Sequence, residues 1–186
     1  MARTTHHFKR IVTAGLAAVW FSAPAHADAA RVDDLFEQLA RTEGMQAARI
    51  AAEIGTEWSR SGSPAIDLLL RRGQRALDDG DTQAAIEHLT AAIDHDPAFT
   101  EAYNLRATAY YLADEIGPAL ADLRVVLDRE PRHFGALRGF GIVLTELGRE
   151  REALEVFRQV LALYPAEEDT QAAVEELGRR IDGTPL

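Results

Sequence analysis

Three prolines recur at a constant interval and divide the middle of the chain into units. Pro97, Pro131 and Pro165 lie 34 residues apart, twice in succession. Other positions keep the same register when the units begin at 66, 100 and 134. These are the fourth (Leu69, Tyr103, Leu137), the eighth (Gly73, Ala107, Gly141), the eleventh (Ala76, Tyr110, Leu144), the twentieth (Ala85, Ala119, Ala153) and the twenty-fourth (Leu89, Leu123, Phe157). Such a period predicts stacked repeats, each of them one small structural unit.

The alternation of small and large residues predicts two antiparallel helices in each unit. Tiny residues at the eighth and twentieth positions allow the helices to approach closely, and larger apolar residues fill the space around that contact. A proline cannot continue a helix interior, so each one ends a unit. Gly80 and Gly148 predict the turns inside the first and third units. The second unit has Asp114 at this point, and we expect its inner turn to differ in shape.

This register resembles that of the tetratricopeptide repeat family throughout residues 66–165. The resemblance implies an all-α fold: an α-solenoid of three helix-turn-helix repeats, at residues 64–97, 98–131 and 132–165, with capping helices at both ends. The seventh position, commonly apolar in the family, is Arg72 or Arg106 in the first two units. Arginine stems can cover apolar surface while the guanidinium reaches water or an acid, so the fold prediction is unchanged.

Helical segments are predicted on both sides of the repeats, because repeats cannot bury their end faces alone. Residues 28–63 carry two apolar stripes at helical spacing and predict an N-terminal helical cap over the first repeat. Ser63 is a suitable N-cap, and Pro64 suits the first position of the next helix. Residues 166–186 predict a C-terminal capping helix and tail, with acids at the start and arginines near the end of the helix.

The N-terminus predicts export. Basic residues precede an apolar run over residues 11–21, and Ala25-His26-Ala27 then supplies small residues before Asp28. This order is typical of a signal peptide over residues 1–27 that is cleaved after Ala27. The apolar run is about half of the roughly 20 residues that cross a bilayer, so no stable membrane anchor is expected after cleavage. We expect the mature protein in the periplasm.

The charge of the mature chain narrows the class of partner. Without residues 1–27 it has 17 arginines, no lysine and 30 acidic residues, a formal net charge of −13. Such a surface repels nucleic-acid phosphates and anionic lipid headgroups, whose binding depends on clustered cations. We therefore expect no nucleic-acid partner, and a protein or peptide partner with a basic face is favoured.

Residues that could support catalysis are few. The chain has no cysteine, and its mature part has three serines, all in the turn at 59–63, and three histidines at 88, 95 and 133. No nucleophile–base spacing, Gly-rich phosphate loop or helical pair of histidines is present. Asp94-His95-Asp96 is the most metal-like cluster, but its position before Pro97 favours a polar linker. We predict no catalytic residue, metal or cofactor.

The resemblance also implies where a partner binds. In the family, the first helix of each unit lines a concave groove, into which the second, fifth, ninth and twelfth residues point. The candidates taken from these positions are Gln74, Asn104, Thr108, Tyr111, Arg138 and Ile142. An asparagine can bond to a peptide backbone, and tyrosine and arginine are frequent interface hot spots. In the alternative, Tyr111 packs against the next unit and Arg138 is a solubilising charge.

One mode of recognition known in the family is not predicted. Some members hold a partner's terminal carboxylate with lysine, asparagine and arginine at fixed groove positions. The corresponding positions hold Leu70, Gln74, Leu105, Gly135 and Gly139. The groove is therefore expected to bind a less anionic group.

Three functional hypotheses remain from the sequence. The first is a periplasmic, monomeric scaffold that presents a preformed groove to a protein or peptide. The second is a self-associating structural protein of the cell envelope, because exposed end faces of repeat arrays can stack. An enzyme is the third and has the weakest support, since no residue constellation suggests a reaction.

Overall fold

The computed structural model describes residues 25–183, and within them every regular element is an α-helix. The predicted all-α solenoid is confirmed. The helices are α1 (Ala25–Leu39), α2 (Gly44–Trp58), α3 (Pro64–Asp78), α4 (Thr82–His95), α5 (Thr100–Leu112), α6 (Ile116–Arg129), α7 (Phe134–Glu146), α8 (Glu150–Leu163) and α9 (Glu168–Gly183). The predicted leader lies outside the described residues up to position 24, and α1 runs across the predicted cleavage point.

Close contacts inside the repeats depend on the small residues of the register. A Cβ atom built on Gly73 of α3 would lie 2.5 Å from Cγ of Leu89 in α4, and one built on Gly141 of α7 would lie 2.6 Å from Cε1 of Phe157 in α8. Real Cβ atoms do not approach other atoms so closely. The glycines therefore set the spacing of their helix pairs, as the pattern predicts.

The three inner turns have one shape, which corrects the expectation for the second unit. Gly80, Asp114 and Gly148 all adopt the left-handed conformation, with φ of 76°, 61° and 71°. The following residue donates to a carbonyl five positions back in each turn, as in the bond from Glu115 N to Tyr110 O at 2.8 Å. Aspartate tolerates positive φ better than most residues, so Asp114 can replace glycine without changing the turn.

Arg106 forms a polar link at the centre of the array. Its Nε and Nη2 donate to the two carboxylate oxygens of Asp122 at 2.7 and 2.9 Å, and its Nη1 donates to Oγ1 of Thr90 at 3.0 Å. This bidentate pair, chiefly through the hydrogen bond to Asp122, raises the pKa of Arg106. The second repeat is thereby tied to α4 of the first, while Arg72 remains exposed.

Helices α1 and α2 form an N-terminal hairpin that packs against the third repeat. Its buried residues contact Phe134, Leu163, Tyr164 and Ala166. The prediction that this segment covers the first repeat is therefore wrong. Because the apolar residues of α3 are already packed with α4 and α5, the aromatic rings at the edge of the third repeat provide the unfilled apolar surface instead.

The predicted helix cap at Ser63 and the predicted C-terminal capping helix have different outcomes. Ser63 precedes α3, which begins at Pro64 as expected, but its side chain makes no capping hydrogen bond. At the other end of the array, α9 packs on α8 through Leu177, as expected of a C-terminal cap. Glu167 caps α9 by accepting from N of Thr170 at 2.6 Å.

Candidate binding groove on the concave face

A cleft between α5 and α7 brings together most of the predicted partner-binding residues. Its volume is about 200 Å³. It is lined by five of the six candidates: Asn104, Thr108, Tyr111, Arg138 and Ile142. The sixth, Gln74, lies on α3 away from this cleft, where it is exposed and donates to Asp78 at 3.0 Å.

The cleft exists because two positions of α7 have no side chain. Gly135 and Gly139 lie on the lining, and a Cβ on Gly139 would meet its nearest neighbour, Leu123, at an ordinary distance of 3.6 Å. The missing side chains therefore leave open space rather than relieving a clash. The second and sixth positions of the first repeat, which correspond to Gly135 and Gly139, hold Asp67 and Arg71.

A buried histidine that sequence reasoning considered only for catalysis connects one end of the cleft to the hairpin. His133 is 3% exposed and forms the N-cap of α7, where its Nδ1 accepts from N of Ala136 at 3.1 Å. Its Nε2 lies 2.9 Å from Oε2 of Glu101 in α5. The indole of Trp58 stacks on its ring, with centroids 4.1 Å apart. The signal in the sequence was its position directly before a predicted helix.

Asn104 and Thr108 make short-range hydrogen bonds along α5. Asn104 Nδ2 donates to Oε1 of Glu101 at 3.2 Å, and Thr108 Oγ1 donates to the carbonyl of Asn104 at 3.2 Å. Glu101 thus accepts from both Asn104 and His133. These bonds hold the two side chains at the cleft in fixed orientations.

Tyr111 bridges the second and third repeats at the other end of the cleft. Its hydroxyl donates to Oε1 of Glu146 in α7. This hydrogen bond is the main cause that raises the pKa of Tyr111, with burial second. The phenol is therefore neutral and still has oxygen lone pairs available to a ligand.

Arg138 is tied to the N-terminal end of α9. Its Nη1 lies 3.3 Å from Oε1 of Glu167 and 3.9 Å from Oδ2 of Asp169. Its side chain remains 46% exposed and lines the cleft. This cation consequently faces the cleft with its charge offset by two carboxylates.

Neither a metal-binding cluster nor a membrane-spanning helix is found in the part of the chain that the structure describes. No group of three or more histidine, aspartate and glutamate side chains within residues 25–183 could hold a metal ion. In the same part of the chain, no helix combines the length and apolar character needed to cross a membrane. The cleft is suited to a partner surface that carries both apolar and polar groups.

Comparisons with known proteins agree with this geometry. The family model described as tetratricopeptide repeat matches residues 70–117 and 115–168. A tetratricopeptide repeat-containing protein of Rhizobium etli is 36% identical over 154 residues, which cover 82% of this chain and 76% of that protein. The human DnaJ homolog subfamily C member 3 is 31% identical over 108 residues, 58% of this chain but 21% of that protein.

Solved structures show the same architecture. The first tetratricopeptide domain of Spaghetti (RPAP3), bound to the HSP90 peptide SRMEEVD, superposes with a TM-score of 0.60 at 20% identity, over 63% of this chain and 95% of that one. The MamA protein gives a TM-score of 0.58 at 20% identity, over 85% and 84% of the two chains. With a family model that matches most of the repeats and a relative aligned over most of both chains, this chain belongs to the tetratricopeptide repeat family.

Proposed function

We propose that the protein is an exported, periplasmic scaffold that binds a protein or peptide partner in the cleft between α5 and α7. Members of its family serve as protein–protein interaction scaffolds, and one structural neighbour holds a peptide. The observation that carries the proposal is the cleft itself. It combines apolar walls with fixed polar groups from two repeats, a composition typical of recognition sites.

Exposed apolar side chains at the cleft support the same proposal. Leu112 is 56% exposed and Ile142 is 37% exposed, and both contribute to the lining. Burying such side chains against a partner stabilises a complex by about 25 cal/mol per Å² of apolar surface. Tyr111 lines the same cleft and provides an aromatic anchor of a residue type that is enriched at interface hot spots.

Crosslinking from the cleft tests the proposal. A photoreactive residue at position 111 should capture a specific partner in living cells, which mass spectrometry then identifies. With that partner in hand, Tyr111→Ala is expected to weaken binding by about 1–3 kcal/mol. Gln83→Ala is the matched control, because Gln83 is exposed on α4 and does not line the cleft.

Two outcomes would contradict the proposed site. Equal affinities of the wild type and Tyr111→Ala would move the binding surface elsewhere on the solenoid. A mass that increases with concentration, measured by sedimentation equilibrium, would favour self-association over the monomeric scaffold. Export is tested separately by the N-terminal residue of the mature protein, which we expect to be Asp28.

A further inference from the structure

The hydrogen-bond roles around the cleft can be assigned from one group whose role is fixed. The backbone N of Ala136 can only donate, so the Nδ1 atom of His133 that faces it must accept. The proton of the neutral ring is therefore on Nε2. That N–H donates to Oε2 of Glu101.

The same reasoning fixes the orientation of Asn104. The carboxylate of Glu101 can only accept, so the amide group of Asn104 must turn its NH2 toward Oε1, 3.2 Å away. The amide oxygen of Asn104 is then directed away from Glu101. Among the described residues none donates to that oxygen, so it is available at the lining of the cleft as an acceptor.

Two further polar groups of the cleft are also left as acceptors. The hydroxyl of Thr108 donates its hydrogen bond to the carbonyl of Asn104, and the hydroxyl of Tyr111 donates to Glu146. Each hydroxyl oxygen retains only lone pairs for a ligand. Glu146 is exposed, and within residues 25–183 Tyr111 is its one hydrogen-bond donor, so its carboxylate can accept more bonds.

The charges around the cleft are mostly negative and, like these acceptors, favour a group that donates hydrogen bonds. Four carboxylates stand at or beside it, those of Glu101, Glu146, Glu167 and Asp169. Arg138 is the one cation on its lining, and it already pairs with two of the four. The surroundings therefore favour an incoming positive charge over a negative one.

We propose that the cleft binds an arginine side chain of the partner. Its methylene stem packs on the exposed surfaces of Leu112 and Ile142, and its guanidinium donates to the hydroxyl oxygen of Tyr111 and to the carboxylate of Glu146, while Asn104 Oδ1 accepts from the partner's backbone at the other end of the cleft. Arginine fits better than lysine because its planar fork of N–H donors can serve two neighbouring acceptors at once. This inference rests on the proposed function and adds the chemistry of the group that is recognised.

Within this arrangement the N-terminal hairpin acts as a positioning element. Trp58 stacks on the ring of His133, and this ring forms a hydrogen bond with Glu101. Glu101 in turn accepts from the side-chain amide of Asn104 and so fixes its orientation. The hairpin thus stabilises the acceptor orientation of a residue that it does not touch.

Three pools of capped nonapeptides with a fixed central residue test the inference. One pool has arginine at the centre, the second glutamate and the third norleucine, with the same random flanks. Fluorescence polarisation against the mature chain should show the arginine pool binding at least about tenfold more tightly than the glutamate pool. Glu146→Gln should remove about tenfold of that affinity, because a charge-assisted bond becomes a neutral one.

Controls separate failure of this inference from failure of the proposed function. Gln83→Ala, an exposed position on α4 outside the cleft, should leave the arginine pool unaffected. If the glutamate or norleucine pool binds best and Tyr111→Ala weakens it, the cleft is the binding site and the arginine inference is wrong. If no pool responds to Tyr111→Ala or Glu146→Gln, both proposals are wrong. A gain of glutamate-pool binding in Glu146→Arg would support the charge assignment further.

Discussion

The first and third repeats follow one register but use it differently. The fifth residue of the first, Leu70, is buried in the core cluster. The fifth residue of the third, Arg138, is 46% exposed and lines the cleft together with Gly135 and Gly139. The apolar core of the N-terminal hairpin packs against the third repeat, through Phe134 and its neighbours, and not against the core cluster of the first. A repeat can therefore keep its internal packing while its outward positions take on separate tasks.

The largest expected effect concerns the seventh position, an arginine in the first and second units that pairs with a buried carboxylate in the second. Arg106→Met should lower the free energy of unfolding by about 2–3 kcal/mol, because it leaves the buried carboxylate of Asp122 without its partner. Arg72→Met should change it by less than about 0.5 kcal/mol, since Arg72 is exposed. The residue that corresponds to Asp122 in the first unit is His88, which gives Arg72 no equivalent anion. Urea unfolding of both variants measures the difference, and equal losses would contradict it.

A smaller effect is expected at the contact between the hairpin and the third repeat. Trp58→Ala removes the stack on His133 and the contact with Phe134, 5.2 Å away between centroids, and should destabilise the hairpin by about 2 kcal/mol. Hydrogen exchange should then accelerate in α2 and remain slow in α5 and α6. Met45→Ala is the control, because Met45 is 82% exposed. Equal acceleration along the whole chain would show that the hairpin and repeats unfold as one unit.

Two glycines of α7 should respond to alanine with opposite signs. Gly141→Ala places a methyl group 2.6 Å from Phe157 and should destabilise the protein by about 1 kcal/mol, since overpacking outweighs the gain in helix propensity. Gly139→Ala should stabilise it by about 0.5–1 kcal/mol, because the added methyl has room beside Leu123. Thermal unfolding of the two variants measures the sign of each change in stability. The same sign for both would mean that the third repeat is not spaced as described.

The smallest effect is a shift in the titration of Tyr111. Its hydrogen bond to Glu146 holds the pKa above the ordinary value of 10.0, so this contribution to stability is present at neutral pH and is lost as the pH rises through the folded-state pKa. Glu146→Gln should lower that pKa, measured by NMR of the tyrosine ring carbons. Tyr164, whose pKa is raised mainly by burial, should not move. An unchanged pKa of Tyr111 in this variant would show that the hydrogen bond between Tyr111 and Glu146 does not form.

Much of the candidate site could be predicted from the positions of its residues in the 34-residue repeat. Asn104, Thr108 and Tyr111 were predicted from their positions on the first helix of a unit, and they do line one cleft. Gln74 was predicted by the same rule but lies outside the cleft. A cleft requires, in addition, positions without side chains on the neighbouring helix. His133 was considered only as a catalytic candidate, since its hydrogen bond to Glu101 joins two units across the array.

The sequence by itself determined the helix pairs, the two glycine turns and their order, because these depend on contacts between residues near one another in the chain that recur with the period. Only the tertiary structure decided where the hairpin docks, which concave positions stay open, and which atoms of the cleft donate or accept. Trp58 and His133 meet across two intervening repeats, and no local pattern encodes such a contact. Its basis is the match between an apolar hairpin and the aromatic edge that remained uncovered once the repeats had packed.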